Sequence, residues 1–242
     1  IGIIQDGLLG SYNLTDPALK IDWKDAMNII SYTTVDNFED FKKKDLDGKT
    51  LFSTIIPPRI NTKRYKSKDE ISLQIQKGQM LEGRLGKQFL GPKKKNSLIH
   101  LIWDEYSPEM TREFIDNTQR LINNFNMYNG FSVGFGDIDV PKNVQIELSN
   151  LFKTKKSEVS HWITETENNP DMLDPGLLEQ TIYGELNNVN STASSLIVKN
   201  LKEDNGFKVM FKSGSKGSEI NIGQMGGCVG QQSVEGERIK KK

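Results

Sequence analysis

A glycine-rich stretch around a single lysine is the part of this sequence whose residue types could do chemistry. Residues 213–218 read S-G-S-K-G-S, so Ser215 and Gly217 flank Lys216. Such a turn exposes backbone N–H groups, its serines add hydroxyl donors, and its lysine supplies a positive charge that can contact phosphate. The spacing differs from a Walker A motif, because a glycine follows the lysine where serine or threonine is needed. A phosphate-contacting turn and a flexible surface turn are therefore both open hypotheses.

Neutral amides alternate with glycines and apolar residues in the segment that follows. Asn221, Gln224, Gln231 and Gln232 lie among several glycines between 217 and 236. Glycine inside a regular element costs roughly 0.5–1 kcal/mol relative to alanine, so another interaction must offset that cost. The pattern predicts an element whose backbone packs closely against a neighbour and faces a polar cavity.

Histidine and cysteine are too scarce for several kinds of site. The chain has two histidines, His100 and His161, and one cysteine, Cys228. These low counts exclude a zinc site of four Cys/His ligands from this chain alone and an internal disulfide. The two isolated histidines also support no Ser-His-Asp triad. His100 lies inside the apolar run 97–103, which predicts a packed, hydrogen-bonded histidine rather than a ligand.

Pairs of carboxylates occur in segments with turn-like composition. The pairs are Asp137 with Asp139, and Asp171 with Asp174. Aspartate in such segments usually accepts hydrogen bonds from backbone N–H groups, so these positions predict capping or turn roles.

Charge and hydropathy exclude further classes of protein. Lysine plus arginine and aspartate plus glutamate both number 32, so the formal net charge is zero, unlike a free-standing nucleic-acid binder. No apolar stretch approaches the roughly 20 residues that cross a bilayer, so no membrane contact is expected. A chain that begins with isoleucine and ends with three lysines predicts an excerpt of a longer polypeptide.

The predicted elements give an α+β protein with two parts. Alternating apolar residues over 71–90 predict strands of a small antiparallel sheet, residues 49–58 predict a short β-type run, and the basic residues 59–68 predict a solvated loop. Apolar residues at helical spacing predict a helix over 108–128. Two long helices around a breaker at 168–175 predict a helical hairpin over 141–204.

Four stretches carry a resemblance to a known family. The main one is F-K-S-G-S-K-G-S-E-I-N-I-G-Q-M-G-G-C-V-G-Q-Q-S-V-E-G-E-R-I, at 211–239. I-G-I-I-Q-D-G-L-L-G (1–10), L-I-H-L-I (98–102) and N-G-F-S-V-G-F-G-D (129–137) agree in order. The chain resembles the largest subunit of multisubunit DNA-directed RNA polymerases, and is most similar to the RNA polymerase II version.

The resemblance implies a domain organisation and a function. Residues 1–139 would form the pore domain, with the end of the preceding active-site domain at 1–15. Residues 140–242 would form the funnel domain, with its helical hairpin at 141–204 and a substrate-proximal segment at 211–239. These domains would wall the secondary channel, through which nucleoside triphosphates enter and backtracked RNA leaves during template-directed RNA synthesis. The fragment alone is not expected to be active.

Site residues carry over where the motif matches. Lys216 would contact the triphosphate of the incoming nucleotide. The following residues would lie near the channel and the bridge helix: Ser215, Gly217, Asn221, Gln224, Cys228, Gln231, Gln232 and Glu235.

The resemblance also implies cofactors, partners and a location. Mg²⁺ would be bound in the complete enzyme by carboxylates upstream of Ile1, and this chain would supply no zinc site. Partners would be other polymerase subunits, especially the second-largest, with nucleoside triphosphate, DNA template and RNA, and a transcript-cleavage factor at the funnel. The location would be intracellular: the nucleus for a eukaryotic source, and a cytoplasmic viral factory or virion for a viral one.

Several positions depart from the family pattern, and two other classes of function stay open. Glu219, Gly226–Gly227, Glu237 and Lys240–Lys242 differ from the residues usual in the family, which bears on toxin sensitivity and cleavage-factor docking more than on the fold. One alternative is a non-catalytic helical interaction module that diverged from a polymerase subunit. The other is an independent phosphate-binding domain.

Overall fold

The architecture is α+β, as predicted, with ten α-helices and seven short strands among the residues that the structure describes. This computed structural model describes residues 1–36, 45–67, 70–169 and 174–239. The described chain divides into two compact units, Ile1–Ser132 with Met210–Lys216, and Val133–Val209 with Gly217–Lys242. The predicted division at 139/140 remains a prediction, whereas the compact units divide after Ser132 and again around 210–216.

The first unit contains most of the strands and the shorter helices. Its helices are α1 (Asp6–Leu14), α2 (Trp23–Ile30), α3 (Gly48–Ser53), α4 (Lys87–Leu90), α5 (Leu98–Glu105) and α6 (Pro108–Asn129). Its strands are β1 (Lys20–Ile21), β2 (Leu46–Asp47), β3 (Thr62–Tyr65), β4 (Ile71–Gln76) and β5 (Gln79–Gly83).

An antiparallel sheet and α6 surround one apolar core in this unit. The sheet has the order β3-β4-β5, with Arg64 opposite Leu73 and Leu73 opposite Gly83. Leu73 is buried, and the rings of Phe52 and Phe114 meet edge to face with their centroids 6.4 Å apart. Of the strands predicted over 71–90, those at β4 and β5 are confirmed, whereas the end of the stretch forms the helix α4 instead. The predicted helix over 108–128 is confirmed.

Three local predictions in this unit were wrong. Residues 48–53 form α3 instead of a β-type run, because Asp47 caps the helix by accepting from Thr50 N–H at 2.6 Å and the helix buries Leu51 and Phe52. Part of the basic stretch 59–68 forms β3, which pairs with β4. His100 is exposed instead of packed, since α5 turns Leu98, Ile99 and Ile102 toward the core.

The second unit contains the predicted helical hairpin. Its two long helices, α7 (Lys142–Asn168) and α8 (Pro175–Asn200), pack against each other. Buried residues between 144 and 198 line the inner faces of this unit: Val144, Leu148, Val159, Ile182, Ala193, Ile197 and Val198. Part of the predicted breaker, residues 170–173, lies outside the described residues.

Aspartates at turns act as caps, as predicted. Asp174 accepts a hydrogen bond from Gly176 N–H at 2.9 Å and begins α8. Asp137, in a 3-10 helix at Phe135–Ile138, accepts from Gly134 N–H at 2.8 Å and from Gly206 N–H at 3.3 Å. These bonds fix the start of α9 (Gly206–Ser213), which leads from the second unit into the 210–216 segment of the first. Asp171 lies outside the described residues.

The remaining elements follow α9. They are α10 (Glu219–Gly226) and the strands β6 (Ser233–Val234) and β7 (Glu237–Arg238), which form an antiparallel pair. Within the described ranges, no helix has the length and apolar character needed to cross a membrane.

A buried lysine of α9 that contacts the end of α8 gives a stability prediction. Lys208 is 4% exposed, and its Nζ donates to Leu201 O at 2.7 Å and to Glu203 Oε1 at 2.9 Å. Replacing Lys208 with methionine keeps the apolar stem but removes a charge-assisted bond to a helix-terminal carbonyl, so we expect a loss of about 1.5–3 kcal/mol.

The measurement for Lys208→Met is the rate of thermal inactivation of the assembled polymerase that carries the variant. Lys202→Met serves as the matched control, because Lys202 is an exposed lysine of the same connection. Equal inactivation rates for the two variants would contradict the role assigned to Lys208.

Candidate functional site

The Lys216 turn begins where α9 ends, in the first unit. Ser215 Oγ donates to Met210 O at 3.1 Å, and Ser213 Oγ donates to Met210 O at 2.9 Å and contacts Ser215 Oγ at 3.0 Å. Ser213 is buried and Ser215 half-buried, whereas Lys216 is exposed. The serines are thus used to close the turn, and the lysine is the residue that the turn presents to solvent.

Packing against the start of α4 holds this turn in place. Gly214 has φ +71°, and a Cβ built on it would lie 2.5 Å from Lys87 Cβ. A Cβ on Gly86 would lie 2.9 Å from Ser213 O. Both glycines therefore permit backbone approaches that a side chain would prevent. Lys87 is itself exposed, so the turn has a second lysine beside it.

A different group of predicted residues lies on α10, in the second unit. Ser218 caps this helix: its Oγ accepts from Asn221 N–H at 3.3 Å and donates to Asn221 Oδ1 at 2.7 Å. Gly217, with φ +78°, allows the chain to enter the cap. The position of Asn221 is therefore explained by helix capping.

Gly223 of α10 and Gly227, the C-cap residue that follows this helix, explain the close-packing part of the sequence prediction. A Cβ on Gly223 would lie 2.6 Å from Ser194 Cα, and one on Gly227 would lie 2.6 Å from Ile197 Cδ1. Ser194 and Ile197 both belong to α8, so α10 approaches α8 through a face without side chains. The close neighbour is thus the second helix of the hairpin.

A cavity of about 390 Å³ lies where α7, α8 and residues 228–231 meet. Cys228, Gly230 and Gln231 line it together with Asn190 of α8, whose Oδ1 is buried without a hydrogen-bond partner. Opposite them, Lys155 contacts Glu158 at 2.7 Å and Glu185 at 3.4 Å, and these carboxylates raise the pKa of Lys155. Residues 228–231 therefore do face a cavity, but the prediction that it is polar was wrong, because most of its lining is apolar. Its polar groups include the ion-paired Lys155 and the unpartnered Asn190 Oδ1.

The other predicted amides organise the chain around this cavity. Gln224 Nε2 and Gln232 Nε2 both donate to Val229 O, at 3.2 and 3.3 Å. Gln231 Nε2 donates to Gln232 O at 2.7 Å. Glu235 is exposed at the turn between β6 and β7, with φ +55°.

The predicted residues therefore fall into two local groups. Ser215 and Lys216 belong to the first unit, and the group from Gly217 to Glu235 belongs to the second. The sequence analysis did not single out Lys87, Asn190 or Glu179, because each meets the predicted segment only through tertiary contacts. It did not single out Arg238 either, which lies inside that segment but whose partner Glu179 is distant in the chain. Within the described residues, no group of three or more His, Cys, Asp or Glu side chains could hold a metal ion.

Comparisons with known proteins match residues of both units. The family model described as RNA polymerase Rpb1, domain 3 matches residues 1–138, and the one described as RNA polymerase Rpb1, domain 4 matches residues 161–242. The chain belongs to this family, the largest subunits of DNA-directed RNA polymerase. The protein named DNA-directed RNA polymerase subunit 1 from Acanthamoeba polyphaga mimivirus is 35% identical over 237 residues, 98% of this chain. The chain spans 16% of the length of that relative.

Proposed function

We propose that this chain forms the pore and funnel walls of the secondary channel in a DNA-directed RNA polymerase, and that Lys216 contacts the triphosphate of the incoming nucleotide. The observation that carries the proposal is the Lys216 turn itself. Its serines and glycines are committed to internal bonds and close packing, and its lysine is exposed. An immobilised turn with an outward cation is suited to contact a polyphosphate.

The physical advantage of this arrangement is pre-organisation. A lysine on a flexible loop loses conformational entropy when it meets a phosphate, whereas here the backbone of the turn is already fixed. Lys87 beside Gly214 adds a second positive charge on the same unit, which strengthens the local attraction for an anion. The function of the turn is then to position substrate for chemistry carried out by other groups.

The complete enzyme supplies what this chain does not contain. Mg²⁺ would be held by carboxylates outside it and would supply nucleotidyl-transfer chemistry when bound. The partners that follow are other polymerase subunits, especially the second-largest, with DNA template and RNA, and a cleavage factor at the hairpin of α7 and α8. An intracellular location, nuclear or in a viral factory or virion, is part of the same proposal.

Photo-labelling of the assembled polymerase tests the assignment of Lys216 directly. A nucleoside triphosphate with a photoreactive group on its γ-phosphate is bound to an elongation complex and irradiated, and the modified peptide is found by mass spectrometry. We expect label on the peptide that contains Lys216, and we expect excess unmodified nucleotide to remove it. Label confined to other peptides, or label that unmodified nucleotide does not remove, would contradict the assignment.

A further inference from the structure

The β6–β7 hairpin is too small to hold its own conformation. Each strand has two residues, and Glu235 and Gly236 form the turn with φ +55° and +85°. Val234 is 60% exposed and Ile239 61% exposed, so the hairpin has no apolar core of its own. An isolated two-stranded hairpin is at best marginally stable in water, and this one therefore depends on contacts to other elements.

The first such contact is a two-pronged ion pair with α8. Arg238 Nε donates to Glu179 Oε2 at 3.0 Å, and Arg238 Nη2 donates to Glu179 Oε1 at 2.8 Å. The two side chains are 18% and 33% exposed. A bidentate arginine–carboxylate pair fixes both distance and orientation, and partial burial shields it from salt.

The second contact lies one helical turn further along α8. Hydrogen bonds from Ser233 and Asn187 lower the pKa of Tyr183, which places Ser233 against the Tyr183 hydroxyl. Ser233 is the cross-strand partner of Arg238, and Tyr183 follows Glu179 by four positions. Ser233 and Arg238, which pair across the hairpin, therefore contact Tyr183 and Glu179, which lie one turn apart on the same face of α8. These two contacts set the register of the hairpin against the helix.

This register also fixes the two amides that precede the hairpin. Gln231 and Gln232 lie between Ser233 and Gly230, and a Cβ on Gly230 would lie 2.9 Å from Asn190 Oδ1. The span is therefore held at both ends by α8. We infer that Glu179 and Arg238 are positioning residues, whose ion pair holds Gln231 and Gln232 in place for nucleotide addition. The inference rests on the proposed function, in which residues 211–239 would be the substrate-proximal part of the channel wall.

The test uses the full-length subunit in the assembled polymerase. Arg238→Gln and Glu179→Gln are each expected to lower kcat for nucleotide addition roughly tenfold, because under the proposed function the two amides belong to the substrate-proximal segment and their displacement slows chemistry. The KM for nucleotide should stay within about twofold, because the contact made by Lys216 is untouched. The swapped variant Glu179→Arg with Arg238→Glu should recover most of kcat, and Arg238→Lys should recover part of it. Lys66→Gln is the control, since it breaks an exposed ion pair with Glu70 elsewhere in the chain.

Three results would overturn the inference. One is wild-type kcat for Arg238→Gln, another is an increase in KM without a decrease in kcat, and the third is a swapped variant no better than the single ones. If Arg238→Gln prevents assembly, the swapped variant decides, since only a pairing role predicts recovery of both assembly and kcat. Lys216→Ala, measured in parallel, separates the inference from the proposed function. If Lys216→Ala lowers kcat/KM but Arg238→Gln leaves kcat unchanged, only the positioning role is rejected. If Lys216→Ala leaves kcat/KM unchanged, the proposed function is rejected.

Discussion

Substitution of Lys216 by alanine in the assembled polymerase is expected to lower kcat/KM for nucleotide by roughly ten- to a hundredfold. A charge-assisted hydrogen bond is worth about 1.5–3 kcal/mol, and each 1.4 kcal/mol corresponds to about one decade in rate or affinity. The full effect is expected because Ser213, Ser215 and Gly214 already fix the backbone of the turn, so that little of the binding energy of the lysine is spent on ordering it.

Single-nucleotide addition, followed from subsaturating to saturating nucleotide, is the measurement for Lys216. Lys216→Arg should retain part of the activity because it keeps the positive charge, although the planar guanidinium of arginine differs in shape from the compact ammonium of lysine. Lys94→Ala is the control, since it removes another exposed lysine from the same unit. Unchanged kcat/KM for Lys216→Ala at subsaturating nucleotide would contradict the contact of Lys216 with the triphosphate.

Raising the salt concentration should reduce the difference in kcat/KM between wild type and Lys216→Ala, because salt screens exposed charges.

The second large effect is expected at Gly223, where alanine should destabilise the packing of α10 on α8. A Cβ there would lie 2.6 Å from Ser194 Cα, which is backbone and cannot rotate away. Overpacking of this kind costs typically 1–3 kcal/mol, occasionally more, since the two helices must separate. We expect faster thermal inactivation of the polymerase and a lower yield of assembled enzyme.

Gly184→Ala is the matched control for Gly223→Ala. Gly184 also lies in a helix of the second unit, but nothing lies within 4 Å of a Cβ built on it. Alanine is favoured over glycine in a helix by about 1 kcal/mol, so this variant should be neutral or more stable. The same stability for both variants would show that the two helices do not depend on a glycine face.

The sequence by itself determined the features that depend on local pattern. Apolar residues at helical spacing gave α6 and the long helices of the hairpin, and alternation gave β4 and β5. Aspartate in turn-like composition predicted the caps at Asp137 and Asp174. The motif at 211–239 was specific enough to identify the family. These features follow from residues close together in the chain, because periodicity, capping and turn chemistry are local properties.

Only the tertiary structure decided what the candidate residues contact. Residues 49–58 look like a strand by composition, but Asp47 and a buried face at Leu51 and Phe52 make a helix. The sequence did not indicate which element packs against the glycines of α10, and the structure identifies it as α8. Glu179 and Arg238 are distant in the chain, and neither is unusual for its surroundings until the two side chains meet. The physical reason is that packing and ion pairing join residues whose separation along the chain carries no pattern, so their partners are defined only when the chain has folded.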